Sequence, residues 1–425
     1  MDKRELIKEL AKDSPPYNYA MKEFIPGMTQ VLYSGPYWDN REIEMALEAL
    51  LTGKWITAGE YVARFQGRFA QRFNVKHAHM VNSGSSANLV MLTAMKKQYG
   101  WKDGDEVVVS PVGFPTTIAP LVQNGLVPRF VDIEMDTLNF DLDQVHGAAM
   151  RDECVGIFVS PVLGNPPDMD VLRKYSNNLI GDNCDSLGSR WAGKYLTEYY
   201  SAWSTSFYPA HHICTGEGGM VCSNDEGMIK TAKSVTWWGR DCYCVGQANL
   251  LACGTCGKRF SKWLEDQDVM DHKYLFTNMG YNLKPLDLQG AIGLAQLEKF
   301  TEIERRRRMN FMALSNVFTC SADNVRVAST LTKADPCWFG VPLICDTAET
   351  KRSLVAHLEA NKIQTRPYFA GNILHHPGYK HLGDASKFPN ANRVADTVFF
   401  IGCPPHYTDE VINYISDVVE KWTQK

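Results

Sequence analysis

Four groups of residues in this chain are of types and spacings that could do chemistry. Asn82-Ser-Gly-Ser-Ser-Ala follows a short apolar run and opens a helical pattern. Backbone N–H groups at a helix N-terminus, flanked by small residues that allow close approach, form a cradle for a phosphate. Gly181-Asp-Asn-Cys-Asp-Ser follows a second apolar run. A carboxylate at the C-terminal end of a parallel strand points into the crevice where open α/β sheets bind ligands. Two adjacent histidines, His211 and His212, lie just before Thr215-Gly-Glu-Gly-Gly. Imidazole titrates near neutral pH and is the commonest general base. Finally, Cys242, Cys244, Cys253 and Cys256 crowd into one short stretch, the densest part of a set of twelve cysteines. Without a secretion signal, such crowding points to metal before disulfides. Cys154, Cys222 and Cys345 lie in apolar stretches and read as small core residues.

The elements that must carry these groups alternate. Glu42–Leu51 reads as a helix. Ala78–Val81, Glu106–Ser110, Val127–Asp132, Val155–Val159 and Asn178–Gly181 read as short apolar strands separated by helical stretches. That pattern predicts a mostly parallel sheet with crossover helices. Beyond about residue 310 the texture becomes α+β. Cys337–Cys345 and Gln364–Phe369 read as strands around a helix at Ala348–Asn361. One long helix, Leu286–Met309, is expected to join the two parts and to end in the basic run Arg305–Arg308. The expected organisation is an N-terminal arm (1–30), a large α/β domain (31–310) and a smaller C-terminal α+β domain (311–425).

With 425 residues, 44% hydrophobic and 22% charged, the composition is that of an ordinary globular protein. A net charge of -4 gives no electrostatic case for nucleic-acid or membrane partners. No apolar run is long enough to span a bilayer, and the charged start Met1-Asp-Lys-Arg-Glu-Leu lacks a signal core, so a cytoplasmic location is expected.

The stretch Ser204-Thr-Ser-Phe-Tyr-Pro-Ala-His-His-Ile-Cys-Thr-Gly-Glu-Gly-Gly-Met closely resembles the signature of the DegT/StrS sugar aminotransferase family. There, Ser-Phe-x-x-x-Lys-x-Ile-x-x-Gly-Glu-Gly-Gly supplies the lysine that holds pyridoxal phosphate as a Schiff base. Trp55-Ile-Thr-Ala-Gly, Gly104-Asp-Glu-Val, Gly280-Tyr-Asn-Leu-Lys and Gln289-Gly-Ala-Ile-Gly-Leu-Ala-Gln-Leu match as well, so the resemblance spans nearly the whole chain. It implies the aminotransferase type I fold. It places Ser83, Gly84, Ser85 and Ser206 on the cofactor phosphate, Phe114 on the pyridine ring and Asp182 on the ring nitrogen. Asn282 would reach the cofactor of a neighbouring subunit, which implies a homodimer. Lys284 departs from the arginine common in the family.

In this chain the lysine position holds His211. Imidazole cannot hold pyridoxal covalently, so the expected cofactor is free pyridoxamine 5′-phosphate, whose amine condenses with a substrate ketone. His211 is suited to take a proton from the cofactor's C4′ carbon and so drive loss of a hydroxyl β to the condensed carbon. Tyr208 and Asp185 are candidates to assist, His212 is a weaker alternative base, and Arg366 is a candidate substrate contact.

Two subgroups of the family carry this histidine. One, the GDP-4-keto-6-deoxymannose 3-dehydratase type, has no metal cluster. The other, the CDP-4-keto-6-deoxyglucose 3-dehydrase type, has a [2Fe–2S] centre on the pattern Cys-x57-Cys-x-Cys-x7-Cys. Here 57 residues separate Cys184 from Cys242, and Cys244 follows after one more. Resemblance around Gly257-Lys-Arg-Phe selects Cys256 as the fourth ligand, with eleven residues between it and Cys244, and Cys253, with eight between, as its competitor. Structural zinc is the rival metal. The expectation is an iron–sulfur sugar-nucleotide 3-dehydrase on the way to 3,6-dideoxyhexoses, served by a separate NAD(P)H-dependent iron–sulfur flavoprotein reductase. A transaminase using another lysine and a non-catalytic cofactor-binding protein are the alternatives.

Overall fold

The computed structural model describes residues 2–12, 24–242, 257 and 259–424. Seven strands form the central sheet: β1 (His77–Val81), β2 (Glu106–Val109), β3 (Val127–Phe130), β4 (Cys154–Val159), β5 (Leu179–Asp182), β6 (Ala202–Ser206) and β7 (Gly219–Ser223). Their order is β1-β7-β6-β5-β4-β2-β3. The pairs β2–β3, β2–β4, β4–β5 and β5–β6 are parallel, and β7 runs antiparallel to both β6 and β1. The apolar segments Val107–Val109, Ile157–Val159 and Leu179–Gly181 are buried. That is the pattern of strands covered by helices on both faces.

The phosphate-loop helix, Gly84–Tyr99, starts at an N-cap, Ser83, whose side chain accepts from the Ser86 N–H. It stops at Gly100, whose φ of 70° lies in the left-handed region that ends helices. Its Val90, Met91, Leu92 and Met95 are fully buried, which fixes the helix and its N-terminus against the sheet.

A second sheet is antiparallel: β8 (Val325–Val327), β9 (Gly340–Cys345), β10 (Thr365–Pro367) and β11 (Val398–Gly402), in the order β8-β9-β11-β10. Its core residues share one apolar cluster with one face of the central sheet and the helices packed there, while the other face of the central sheet has a cluster of its own.

The helix expected over Leu286–Met309 is two helices, Asp287–Glu298 and Phe300–Ser321. Lys299 leaves the helical region between them (φ -106°, ψ 6°), and its Nζ reaches Glu42 Oε2 at 3.0 Å and Asp39 Oδ2 at 2.6 Å. The run Arg305–Arg308 therefore lies in the first half of the second helix and ends no element. At the N-terminus, helix Lys3–Lys12 buries Ile7 and Ala11 and packs on helix Asn40–Thr52. No helix among the described residues is long and apolar enough to cross a membrane.

Candidate active site

The carboxyl ends of β5 and β6, the phosphate-loop helix and the second sheet enclose a cavity of roughly 460 Å³. Ser83, Gly84, Ser85, Phe114, Asp182, Ser206, Tyr208, Asp185, Cys184, His211 and Arg366 all line it, although the first and last lie 283 residues apart in sequence.

The floor of the cavity suits a phosphate. The first amides of a helix have no intrahelical acceptor. Ser83 takes the amide of Ser86, which leaves those of Gly84 and Ser85 at the cavity wall. Two glycines make the loop possible. A Cβ on Gly84 would fall 2.4 Å from Ser206 Cβ, and one on Gly219 would fall 2.3 Å from the Ser83 carbonyl oxygen. The first contact holds the Ser206 hydroxyl against the helix N-terminus. Thr116 adds a hydroxyl, which accepts from Ser85 Oγ at 3.1 Å.

Asp182 ends β5 and is only 5% exposed. Its Oδ2 accepts from Asn88 Nδ2 at 2.8 Å and Thr117 Oγ1 at 2.7 Å, and its Oδ1 accepts from the Cys184 amide at 3.3 Å. Asn88 in turn accepts from Ser204 Oγ on β6 and donates to the Thr116 carbonyl. A buried carboxylate held by three donors keeps its position at the cavity wall. Phe114 sits at the start of helix Pro115–Gln123, 52% exposed, and presents a flat apolar wall. Phe369, beside the second sheet, meets it edge-on at 6.1 Å between centroids.

His211 lies in the irregular turn after β6. Its Nε2 is 3.4 Å from Asp185 Oδ1. Asp185 is aimed by the Leu163 amide, which donates to its Oδ2 at 3.2 Å from a residue held at φ 55°. His211 Nδ1 is buried without a protein partner. With Nε2 beside the carboxylate, Nδ1 is the ring nitrogen left without a protein partner. His212 faces the other way. It is buried, its Nε2 contacts the Cys337 carbonyl at 2.8 Å, and burial followed by the Arg307 charge holds its pKa well below the ordinary histidine value. It serves the fold, and the turn separates the roles of the two neighbours. Tyr208 stands at the mouth, half exposed, and its amide donates to Ser206 Oγ at 3.2 Å.

Cys184 lines the cavity two residues beyond Asp182. Burial, then the Asp182 and Asp185 carboxylates, push its thiol well above the ordinary cysteine range. Cys242 is buried. Cys244, Cys253 and Cys256 lie outside the described residues, among which no group of three or more His, Cys, Asp or Glu side chains is placed to hold a metal.

Asn282 is absent from the cavity. It is exposed on a segment bridged to Trp237, where it accepts from Lys284 Nζ. Lys284 lies over the Trp238 ring at 3.4 Å, and its pKa is lowered to about 8 by burial and the Arg240 charge. The surrounding face is apolar: Ile56 is 78% and Met279 96% exposed, with Trp238, Tyr281 and Leu286 beside them.

Asn88, Thr117 and Arg307 are site-supporting residues that motif matching passes over. So is Tyr33, whose ring lies 4.1 Å from the Arg366 guanidinium.

The model of the DegT/DnrJ/EryC1/StrS aminotransferase family matches residues 37–420. The chain belongs to this family. It is similar to the lipopolysaccharide biosynthesis protein RfbH of Salmonella typhimurium, 36% identical over 99% of this chain and 98% of that one. It is also similar to dTDP-4-dehydro-2,6-dideoxy-D-glucose 3-dehydratase of Saccharopolyspora spinosa, 36% identical over 95% of this chain and 88% of that one. Among solved structures it resembles Escherichia coli GDP-4-keto-6-deoxy-D-mannose-3-dehydratase with bound hydrated PLP. That match has a TM-score of 0.80 at 29% identity and covers 92% of this chain and 99% of the other. The aminotransferase type I fold expected from the signature is thus the fold observed, a DegT-family α/β architecture around a mostly parallel sheet.

Proposed function

We propose that this protein removes the C3 hydroxyl of a nucleotide-linked 4-keto-6-deoxyhexose, with pyridoxamine 5′-phosphate as a non-covalent cofactor. One observation carries the reading: an oriented, carboxylate-backed histidine, His211, occupies the position of the family's Schiff-base lysine, while the phosphate cradle and Asp182 are retained. Relatives named as 3-dehydratases support it. Their names differ in nucleotide, dTDP in one and GDP in another, so the reading commits to the sugar carbon and not to the base.

The cradle of Gly84 and Gly219, the helix amides and the orphaned His211 Nδ1 fit such a cofactor. When bound, it supplies an amine that condenses with the 4-keto carbon and a ring that accepts electron density. Ser83, Gly84, Ser85 and Ser206 hold its phosphate, Phe114 covers the ring, and Asp182 holds the proton on the ring nitrogen. His211 takes the C4′ proton, Asp185 steadies the imidazolium that results, and Tyr208 stands where it can donate to the departing hydroxyl. Arg366, stacked on Tyr33, contacts the sugar nucleotide from the second sheet, in a small C-terminal lobe of residues 311–425. Asn282 and the apolar face around it meet a second copy of the chain, and Asn282 reaches that copy's cofactor.

The electrons follow from the same proposal. Replacing the C3 hydroxyl by hydrogen consumes two electrons and two protons and releases water. Cys184, Cys242, Cys244 and Cys256 would hold a [2Fe–2S] cluster, which when bound would supply electrons singly, drawn from a separate NAD(P)H-dependent iron–sulfur flavoprotein reductase. Cys184 supports this by placing a thiol on the cavity wall beside Asp182.

Turnover with CDP-, dTDP- and GDP-linked 4-keto-6-deoxyhexoses tests the reaction. A 3-deoxy product is expected, and a 4-amino product formed from an amino donor would overturn the reading. Iron and acid-labile sulfide test the cluster. Anaerobically purified protein should hold about two of each per chain, and Cys184→Ser should lose both. Bound zinc without sulfide, or dehydration that proceeds without iron, would remove the cluster from the account.

A further inference from the structure

Arg307 is 1% exposed and sits on the inward face of helix Phe300–Ser321 among Ile303, Leu314 and Phe318. No carboxylate pairs with it among the described residues. Its hydrogen bonds go to backbone carbonyls: Nη1 donates to Trp338 (3.3 Å) and Phe339 (3.1 Å), and Nη2 to Ala210 (3.3 Å) and His211 (3.5 Å). Its guanidinium lies 5.8 Å from the Phe339 ring centroid, and that ring lies 5.6 Å from the His211 ring.

Burying a cation without an acid partner is expensive, and an apolar side chain of similar volume would ordinarily be neutral or better for stability at such a place. What the guanidinium does here is specific to its shape. A planar fork of donors reaches carbonyls on two separate segments at once, which a lysine ammonium cannot reproduce. One segment carries His211, and the other carries the aromatic ring His211 packs against. The turn that holds His211 belongs to no helix or strand, so these bonds stand where regular structure would otherwise fix it.

We infer that Arg307 is a positioning residue: by holding the carbonyls of Ala210, His211, Trp338 and Phe339 with one guanidinium, it sets where the His211 ring stands relative to Asp185 and the cavity. The inference rests on the proposal that His211 is the base. Small misplacements of a catalytic group cost rate far more than they cost binding.

The test compares Arg307→Lys with the parent holoenzyme. Hydrogen exchange between solvent and C4′ of bound pyridoxamine phosphate should fall roughly 10- to 100-fold, while affinity for that cofactor changes less than about threefold, since the phosphate, ring and Asp182 contacts are untouched. In cofactor-free protein, the histidine ring NMR signal that vanishes in His211→Asn should be displaced in Arg307→Lys. In the His211→Asn background, Arg307→Lys should change residual exchange little, because a residue acting through His211 has nothing left to act through. Arg307→Met, which keeps the volume without the fork, should reproduce the loss. Parent-like exchange in Arg307→Lys overturns the inference. So does a further tenfold loss in the double variant, or failure of both substitutions to give folded holoenzyme, which would make Arg307 a folding residue. These outcomes are separate from failure of the base assignment, which His211→Asn alone reports.

Discussion

The sheet-side wall of the cavity and the exposed face around Asn282 are built on opposite terms. On the wall, both Asp182 oxygens have donors, and Asn88, one of those donors, is itself oriented from β6. On the face, Asn282 and Lys284 partner each other, and Lys284 rests on Trp238 within an apolar surface open to solvent. The wall is preorganised by this chain alone, so its geometry is set before any ligand arrives. The face has the composition of an interface core and takes its final environment from whatever covers it.

Substitutions on the wall should therefore act on chemistry and cofactor within one chain, and substitutions on the face should act through assembly. The largest effect is expected at His211. His211→Lys should lower dehydration by roughly two to four orders of magnitude, the usual contribution of a positioned base. Borohydride should then fix pyridoxal phosphate covalently at position 211, visible as a mass increase, whereas the parent protein should give none. Retained dehydration with no adduct would break the assignment of the wall.

A smaller effect is expected at Asp182. Hydrogen bonds to charged groups contribute about 1.5–3 kcal/mol, so Asp182→Asn should weaken cofactor binding by roughly 10- to 150-fold. Mixing Asp182→Asn with Asn282→Ala chains should restore activity, because a mixed dimer has one undamaged site. Proven subunit exchange without any gain would return Asn282 to its own chain and dissolve the contrast between wall and face.

The smallest effect is the titration of Lys284. Its folded pKa, about 8, lies below the unfolded lysine value of about 10.4. Between those values the unfolded chain binds more protons, so stability rises with pH across that window. Lys284→Met should melt higher than the parent below pH 8, by an amount on the order of a degree given the solvent around the ammonium, and the advantage should fade by about pH 10.5. A constant difference across that range would mean that the lysine is not desolvated.

The sequence carries much of this site openly. The strands are short apolar runs, so β2 to β5 and the carboxylate at the end of β5 are legible from pattern alone. The phosphate loop is legible because a cap and a glycine must fall in fixed order. His211 stands out because a signature surrounds it. Less legible is whatever depends on two distant segments meeting. Asn88 and Thr117 each look like ordinary helix polars until Asp182 is set between them. Arg307 is hidden inside a basic run, yet Phe300, Ile303, Arg307, Leu314 and Phe318 share one buried face of the helix. Helical periodicity applied to that run would have placed one arginine inside. The break at Lys299 is not legible locally; the partners of its side chain, Glu42 and Asp39, lie some 250 residues earlier in the chain. For the cysteine pattern, Cys184 and Cys242 have described positions, and the Cys244 to Cys256 stretch lies outside them.

The central claim is that His211 does proton chemistry where the family's lysine would hold the cofactor. The most direct measurement is deuterium exchange from solvent into C4′ of pyridoxamine phosphate bound to His211→Asn protein, with binding measured in parallel. Near-parent affinity is expected, with exchange reduced by roughly two to four orders of magnitude. Near-parent exchange at full occupancy would contradict it and move the base to Tyr208 or another group.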